Sequence, residues 1–275
     1  MKVLVINPGA TSTKVAVFEE EQELLKKSII HTAQELEGFD RVIDQAELRQ
    51  RAVLEAVAEG GFRLEDFDAV CGRGGLYRPI PSGTYAVSDR VMQDVEQAPY
   101  GEHPSNLGAY LARRIGDLVG IPAFFVDPVC VDEMTEVAHV SGFAEFRRLS
   151  QFHALNQKAV AKRYAKEIGK PYESLNLIVC HMGGGVSVGA HVKGEVVDTG
   201  NALEGEGPFS PERSGTLPSG ALVDLCFSGK YTQQEIRRMI TGNGGLLAYT
   251  GSTDMQELMR RAATDAKVRE VIDAF

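Results

Sequence analysis

The sequence is short of basic residues, with 29 Lys and Arg against 38 Asp and Glu and a formal net charge of -9. That balance disfavours a non-specific electrostatic grip on nucleic acid or on an anionic membrane, so neither is expected as a partner. An anionic ligand must instead be met by locally placed positive groups. No uncharged apolar stretch approaches the roughly 18 residues that a membrane span needs. The opening run Met1 to Ile6 is too short for a signal peptide and meets Asn7-Pro8-Gly9 at once, which reads as a strand and a turn. Cysteine pairs are lacking too: Cys71, Cys130, Cys180 and Cys226 are far apart in apolar surroundings, without metal-type or redox-type spacing. Reduced thiols and a cytoplasmic location are the expectation. The standard nucleotide fingerprints are missing as well. Gly9 has no Gly-Lys pair at P-loop distance, Gly184 to Gly189 is followed by Ala190 instead of lysine, and neither Gly183-x-Gly185 nor Gly72-x-Gly74 has the third glycine of a dinucleotide motif.

What is present fits a folded α/β protein of one large or two smaller domains, since 43% of the 275 residues are hydrophobic and a sizeable core is available. Strand-like runs occur at Val3-Ile6, Thr13-Phe18, Ala69-Cys71, Ala123-Val126, Leu177-Cys180 and Val186-His191. Helical patterns run from Arg41 to Ala58, Ser105 to Val119 and Ala154 to Ile168, each closed by glycine. Capping boxes are expected at Thr232 with Glu235 and at Thr253 with Gln256.

One internal similarity organises the chain. Val3 to Gly9 followed by Lys14 to Val17 matches Leu177 to Gly185 followed by Val186 to Val188, each a strand, a tight turn and a second strand. Charged turns, Glu19-Glu20-Glu21 and Lys193-Gly194-Glu195, follow both second strands. Any two glycine-turn hairpins look alike, but the matching charged turns favour duplication. The expectation is two related halves, residues 1–150 and 151–275, around a cleft. From Asp265 the apolar positions Val268, Val271, Ile272 and Phe275 fall at helical spacing with no cap after them, as in a helix cut in its middle.

Glycine turns between strands present backbone N–H groups in one direction, and such nests bind phosphate oxygens. Gly183-Gly184-Gly185 is the better candidate; Gly9 with Thr11, Ser12, Thr13 and Lys14 adds hydroxyls and an ammonium suited to a second phosphate or its magnesium ion. A plain hairpin turn competes for either. Arg73 in Gly72-Arg73-Gly74-Gly75 and Arg213 in Gly207 to Gly215 stand outside helix surfaces, where a guanidinium fork can hold a carboxylate or a phosphoryl group. A loop salt bridge competes for Arg73 and an ion pair with Glu212 for Arg213. Asp127 follows a buried strand, at the carboxyl end where open α/β sheets place ligand-binding residues, although a turn aspartate before Pro128 is the plainer alternative. His103 and His153 each open a helix and could face an anion there or act as simple caps. His31, His139 and His191 carry no assignment.

Taken together, Asn7 to Lys14, Gly72 to Gly75, Glu102 to Asn106, Val126-Asp127-Pro128, Phe152 to Asn156, His181 to Gly185 and Gly207 to Gly215 closely resemble the butyrate kinase branch of the acetate kinase family. The match runs in order through nearly the whole chain. The resemblance implies two duplicated ribonuclease-H-like domains of the actin-like ATPase fold, with mixed sheets around an ATP cleft. It implies conversion of ATP and a short-chain fatty acid to ADP and an acyl phosphate, reversibly, with Mg2+ and as at least a homodimer. Carried over by motif, Asn7 and Lys14 serve the first phosphate turn and the magnesium ion, and His181 with Gly183, Gly184 and Gly185 the second. Arg73 and Arg213 hold the acyl carboxylate and the transferring phosphoryl group. Asp127 orients that arrangement and is a second magnesium contact, His153 hydrogen-bonds the γ-phosphoryl group, and His103 lies near the substrate pocket. The acetate kinase branch usually writes the second turn as His-Leu-Gly-Asn-Gly, so His181-Met182-Gly183-Gly184-Gly185 departs in the butyrate kinase direction. Family members normally continue past the equivalent of Phe275 into an adenosine-binding glycine segment. An actin-like or Hsp70-like protein that hydrolyses ATP slowly, and an inactive fragment with a partly exposed stripe at Val268 to Phe275, are the alternatives.

Overall fold

The computed structural model describes all 275 residues, Met1–Phe275, as two compact units, Met1–Val131 and Asp132–Phe275. No helix is long and apolar enough to cross a membrane.

The first unit is built on a six-stranded sheet in the order β3-β2-β1-β4-β6-β5. Its elements are β1 (Lys2–Pro8), β2 (Ser12–Glu19), β3 (Gln22–Ile30), α1 (Ala33–Leu36), α2 (Ala46–Glu59), β4 (Ala69–Arg73), β5 (Thr84–Ala86), α3 (Asp89–Gln97), α4 (Asn106–Val119) and β6 (Ala123–Val126). β1, β2 and β3 form an antiparallel meander, β1, β4 and β6 run parallel, and β5 returns antiparallel along β6. Alternation decides the inward face: Leu4, Ile6, Val15 and Val17 are fully buried while their neighbours are not. Helices α2 and α4 lay Val53, Val57, Leu107, Leu111 and Ile115 against that face.

Two glycines let α4 lie directly on β4. A Cβ on Gly72 would come within 2.0 Å of the Gly108 carbonyl oxygen, and one on Gly108 within 2.1 Å of that of Arg73. The close approach fixes the end of β4 and with it the position of Arg73, its last residue. The expected helix from Arg41 starts late, because Val42–Gln45 is a 3-10 turn and α2 begins at Ala46. Arg41 is held outside it by Asp44, by the Glu102 carboxylate and by the Glu96 carbonyl oxygen.

The second unit holds α5 (Ala154–Glu167), β7 (Asn176–Met182), β8 (Val186–Val192), β9 (Glu195–Asp198), α6 (Ser219–Phe227), α7 (Gln233–Ile240), α8 (Gly245–Thr250), α9 (Met255–Arg261) and α10 (Ala266–Ala274). Its three strands form an antiparallel sheet in the order β7-β8-β9. Ala161 and Ala165 of α5 pack with Tyr172 against Leu177 and Val179 of β7.

The meanders repeat in detail. The β2–β3 turn puts Glu20 at φ 51°, the β8–β9 turn puts Lys193 at φ 50°, and both strand pairs carry a register irregularity, at Val17/Phe18 and at Ala190/His191. Thr232 caps α7 with Glu235 in the expected box. The cap of α9 falls one residue later than expected: Asp254, not Thr253, accepts from the N–H groups of Gln256 and Glu257. A carboxylate next to the emerging N–H groups is the stronger acceptor there. The stripe Val268, Val271, Ile272 and Phe275 packs on Leu246, Leu258 and Ala262, and the Phe209 and Phe275 rings lie 5.7 Å apart.

Candidate active site

In the first unit, register alone gathers the predicted residues. Ile6 lies beside Gly72 and Arg73 beside Val126 in the parallel ladders, so Asn7, Arg73 and Asp127 end three adjacent strands at their carboxyl edge. Open α/β sheets bind ligands at that edge. Lys14 pairs across the hairpin with Asn7, and Arg73 Nη1 donates to Asn7 Oδ1 at 3.4 Å. Burial lowers the Arg73 guanidinium from its ordinary value, but arginine keeps its charge.

The turn between β1 and β2 is shaped from below. Gly9 N donates to Ser12 O (2.7 Å), His31 N to Thr11 O (2.9 Å), and Arg49 to Ala10 O and Ser12 O (both 3.1 Å). Three successive carbonyl oxygens are thus drawn inward, and the outer rim of the turn is left to N–H groups and to Thr11, Ser12 and Lys14. Arg49 is fully buried on α2, donates also to Thr13 Oγ1 (3.0 Å) and to Gln45 Oε1, and has no carboxylate partner. Burial lowers it from its ordinary value too, and burial with the Arg49 charge lowers His31, whose Nε2 meets Thr13 Oγ1 at 2.8 Å.

Asp127 is 5% exposed and adopts φ 38°, a left-handed conformation that non-glycine residues hold at a cost and that clusters at functional sites. Its Oδ1 accepts from Ser82 Oγ and Gly83 N, both at 2.7 Å, so the carboxylate pins the loop before β5. His103 Nδ1 accepts from Ser105 N (3.2 Å) and meets Ser105 Oγ at 2.8 Å, ahead of α4.

In the second unit the glycine turn Gly183–Gly185 closes on itself, Gly183 N donating to Gly185 O at 3.0 Å. Gly185 is the point of convergence: a Cβ there would sit 2.5 Å from Arg213 Nη1 and 3.1 Å from His153 Cε1. The His153 and His181 rings stack at 3.7 Å and 9°, and His181 Nδ1 meets Asn156 Oδ1 at 3.0 Å. Ser210, 1% exposed, donates to Gly184 O (2.8 Å) and accepts from Arg213 N (3.0 Å), tying the Gly207 to Gly215 loop to the turn. Arg213 Nη1 donates to Ala202 O at 3.2 Å, while Glu212, its competing partner, reaches toward Gly184.

The first unit therefore brings together Asn7, Gly9, Thr11, Ser12, Lys14, Arg73 and Asp127, and the second brings together His153, His181, Gly183, Gly184, Gly185 and Arg213. Two recesses within the units, about 170 Å³ beside Tyr77, Tyr85 and Phe125 and about 450 Å³ beside Arg148, Asp198 and Glu206, are lined by none of them. Sequence reasoning missed Arg49, His31, Ser187, Gln157, His191 and Ser210. A signal existed for two. Arg49 shares the buried stripe of α2 with Ala46, Val53 and Ala56, and Gln157 shares that of α5 with Ala154, Ala161 and Ala165. A polar residue at a core-facing helix position asks for a buried partner. The cysteines are all free; Cys130 is buried, whereas Cys180 and Cys226 are exposed.

The sequence profile described as the Acetokinase family matches residues 143–275. Butyrate kinase 2 of Clostridium acetobutylicum is 53% identical over 270 residues, 97% of this chain and 76% of the relative. Butyrate kinase 1 of the same organism is 48% identical over 275 residues, 100% of this chain and 78% of the relative. Among solved structures, the acetate kinase of Porphyromonas gingivalis superposes with a TM-score of 0.77 at 22% identity, over 100% of this chain and 76% of its own. A propionate kinase from Francisella tularensis gives 0.74 at 20%, over 100% and 77%. These two likenesses show that the chain shares the fold of those two kinases, with its mixed α/β architecture. With half of its residues shared with curated butyrate kinases along nearly its whole length, the chain belongs to the acetokinase family of carboxylate kinases.

Proposed function

We propose that the protein transfers the γ-phosphoryl group of ATP to a short-chain fatty acid, butyrate or a branched analogue, giving ADP and an acyl phosphate reversibly and by direct in-line displacement. The observation that carries the reading is the convergence of Arg213 and His153 on the glycine turn at Gly185. It joins a guanidinium, an imidazole and a phosphate nest in one place. The butyrate kinases of Clostridium acetobutylicum, with which the chain shares half of its residues, suggest butyrate as the substrate.

A carboxylic acid with a pKa near the roughly 4 of an aspartate side chain is already ionised at neutral pH, so its oxygen needs no general base. Asp127 agrees with that chemistry, since one carboxylate oxygen is spent on Ser82 and Gly83 and the residue holds a loop. The difficulty is charge, because an anion approaches an anionic phosphoryl group. Arg73, Arg213 and the Nε2 edge of His153 meet that charge. The turns at Gly9 to Lys14 and Gly183 to Gly185, with Asn7 and His181, hold the phosphates, and His103 borders the acyl group.

For Mg2+ the first unit offers the Asn7 amide oxygen and Oδ2 of Asp127, and no cluster of three His, Cys, Asp or Glu exists. That sparse set fits an ion held largely by phosphate oxygens and water. Bound there, the ion would neutralise part of the triphosphate charge. A homodimer in the cytoplasm belongs to the same reading.

Hydroxylamine trapping of acyl phosphate with acetate, propionate, butyrate and isobutyrate tests it. Hydroxamate should form with each active acid and most with butyrate or isobutyrate. Release of inorganic phosphate alone would favour the slow-ATPase alternative.

A further inference from the structure

Behind His153 lies a chain of hydrogen bonds that the proposed chemistry has not used. Gln157 and His191 are fully buried, Ser187 is 3% exposed and Tyr172 5%. The direction of every bond can be read from one backbone group. A carbonyl oxygen can only accept, so the Gln157 nitrogen must be the atom 3.2 Å from Ser187 O, and Nε2 also donates to Ser187 Oγ at 2.9 Å. The Gln157 oxygen then faces His191 Nε2 at 3.0 Å, which must carry the hydrogen. His191 Nδ1 is left to accept from the Tyr172 hydroxyl at 2.6 Å. At the other end Ser187 Oγ accepts from Gln157 and from His153 N (3.3 Å), so its own hydrogen goes to His153 Nδ1 at 2.8 Å.

We propose that Ser187 and Gln157 are positioning residues that hold His153 as the tautomer with its proton on Nε2, through a one-way relay of buried donors running from Tyr172 to the site. Neutral imidazole carries one proton, and Nδ1 is committed as an acceptor. The opposite tautomer would turn a lone pair toward an anion; this one offers a donor at Nε2. That the donor meets a phosphoryl oxygen rests on the proposed function, whereas the tautomer rests on the hydrogen bonds alone. Two further observations support the relay. A Cβ on residue 189 would come within 2.4 Å of Gln157 Oε1, so glycine there makes room for the amide. Burial, with Lys158 nearby and only partly offset by Glu133, depresses His191 to about 4, so its Nδ1 stays open to Tyr172 at neutral pH.

Long-range proton–nitrogen correlation spectra of the 15N-labelled, ligand-free protein at neutral pH read the two ring nitrogens of His153 directly. The proposal expects an unprotonated Nδ1 and a protonated Nε2; a proton on Nδ1 overturns it. In kinetics, Ser187→Ala should lower kcat about 10-fold to 100-fold, taking as a guide the loss of the partner behind a metal-ligating histidine, with KM for both substrates little changed. Ser187→Thr keeps the hydroxyl and should recover most of kcat. An Ala variant as fast as the parent overturns the role, and so does a Thr variant as slow as the Ala one. If Ser187→Ala fails to fold, the wild-type spectrum still decides. If no carboxylate yields hydroxamate, the kinase reading fails while the spectrum judges the tautomer separately.

Discussion

The two hairpins that repeat along the chain are supported by opposite kinds of chemistry. Beneath the first, Arg49 on α2 places a buried, unpaired positive charge against the carbonyl oxygens of Ala10 and Ser12. Beneath the second, Gln157 on α5 places a neutral amide against the oxygens of Ser187. A strand hydroxyl, Thr13 or Ser187, receives the donor in each case, and a buried histidine, His31 or His191, completes each set. The lesson is that one backbone device has been given two electrostatic settings. The first turn gains positive potential from below, where a charge without a carboxylate partner is costly unless backbone oxygens or an anion compensate it. The second turn takes its charge from above, from Arg213, and uses its support to orient His153.

The contrast can be broken by mutation. The largest effect is expected at the charge beside the second turn: Arg213→Ala should cut turnover about 100-fold to 1,000-fold while ATP binding changes far less. Steady-state kinetics against both substrates checks it, and equal activity removes Arg213 from the chemistry. Next comes the charge beneath the first. Arg49→Met strips donors from Ala10 O, Ser12 O and Thr13 Oγ1 together, and a loss of about 3 kcal/mol or more is expected. Thermal unfolding with and without ATP should show a lowered midpoint and a smaller stabilisation by nucleotide. Gln157→Met removes only neutral bonds and should cost less, about 1–3 kcal/mol, with the nucleotide effect retained.

A pH series sharpens the same contrast. His191 has a folded value of about 4 against an ordinary 6.5, so below pH 6.5 the unfolded chain binds the extra proton and stability falls as pH drops toward 4. The loss approaches about 3 kcal/mol at the bottom of that window and is absent above it. His31 is lowered in the same direction by burial and by Arg49, and adds to the slope. Unfolding midpoints between pH 7.5 and 4.5 should fall less steeply in His191→Gln than in the parent. The smallest effect is expected away from both turns: Arg163→Ala breaks an exposed pair with Glu167 on α5 and should leave kinetics and midpoint essentially unmoved.

Legibility followed distance along the chain. The strand at Ala123–Val126 and the helix ending at Val119 coincide with the structure, because alternation, helical spacing and a closing glycine are local signals. The strands Gln22–Ile30, Thr84–Ala86 and Glu195–Asp198 carry no such local signal. Each is rich in polar residues or very short, and its state depends on a neighbour supplied by another segment. Among site residues, Asn7, Arg73, Asp127 and Arg213 stood out because each sits in a glycine, proline or strand-end context, and His153 because it opens a helix. Arg49, Ser187 and His191 did not, since their partners lie far away in sequence, Ala10 for Arg49 and Gln157 for the other two. Burial of a polar side chain becomes meaningful only when its partner is known.

The most direct measurement of the central claim is the stoichiometry of ADP and acyl phosphate formed from ATP and butyrate in the presence of Mg2+, followed together in one reaction. The account predicts one acyl phosphate for each ADP. ADP accompanied only by inorganic phosphate, whatever carboxylate is supplied, would contradict it.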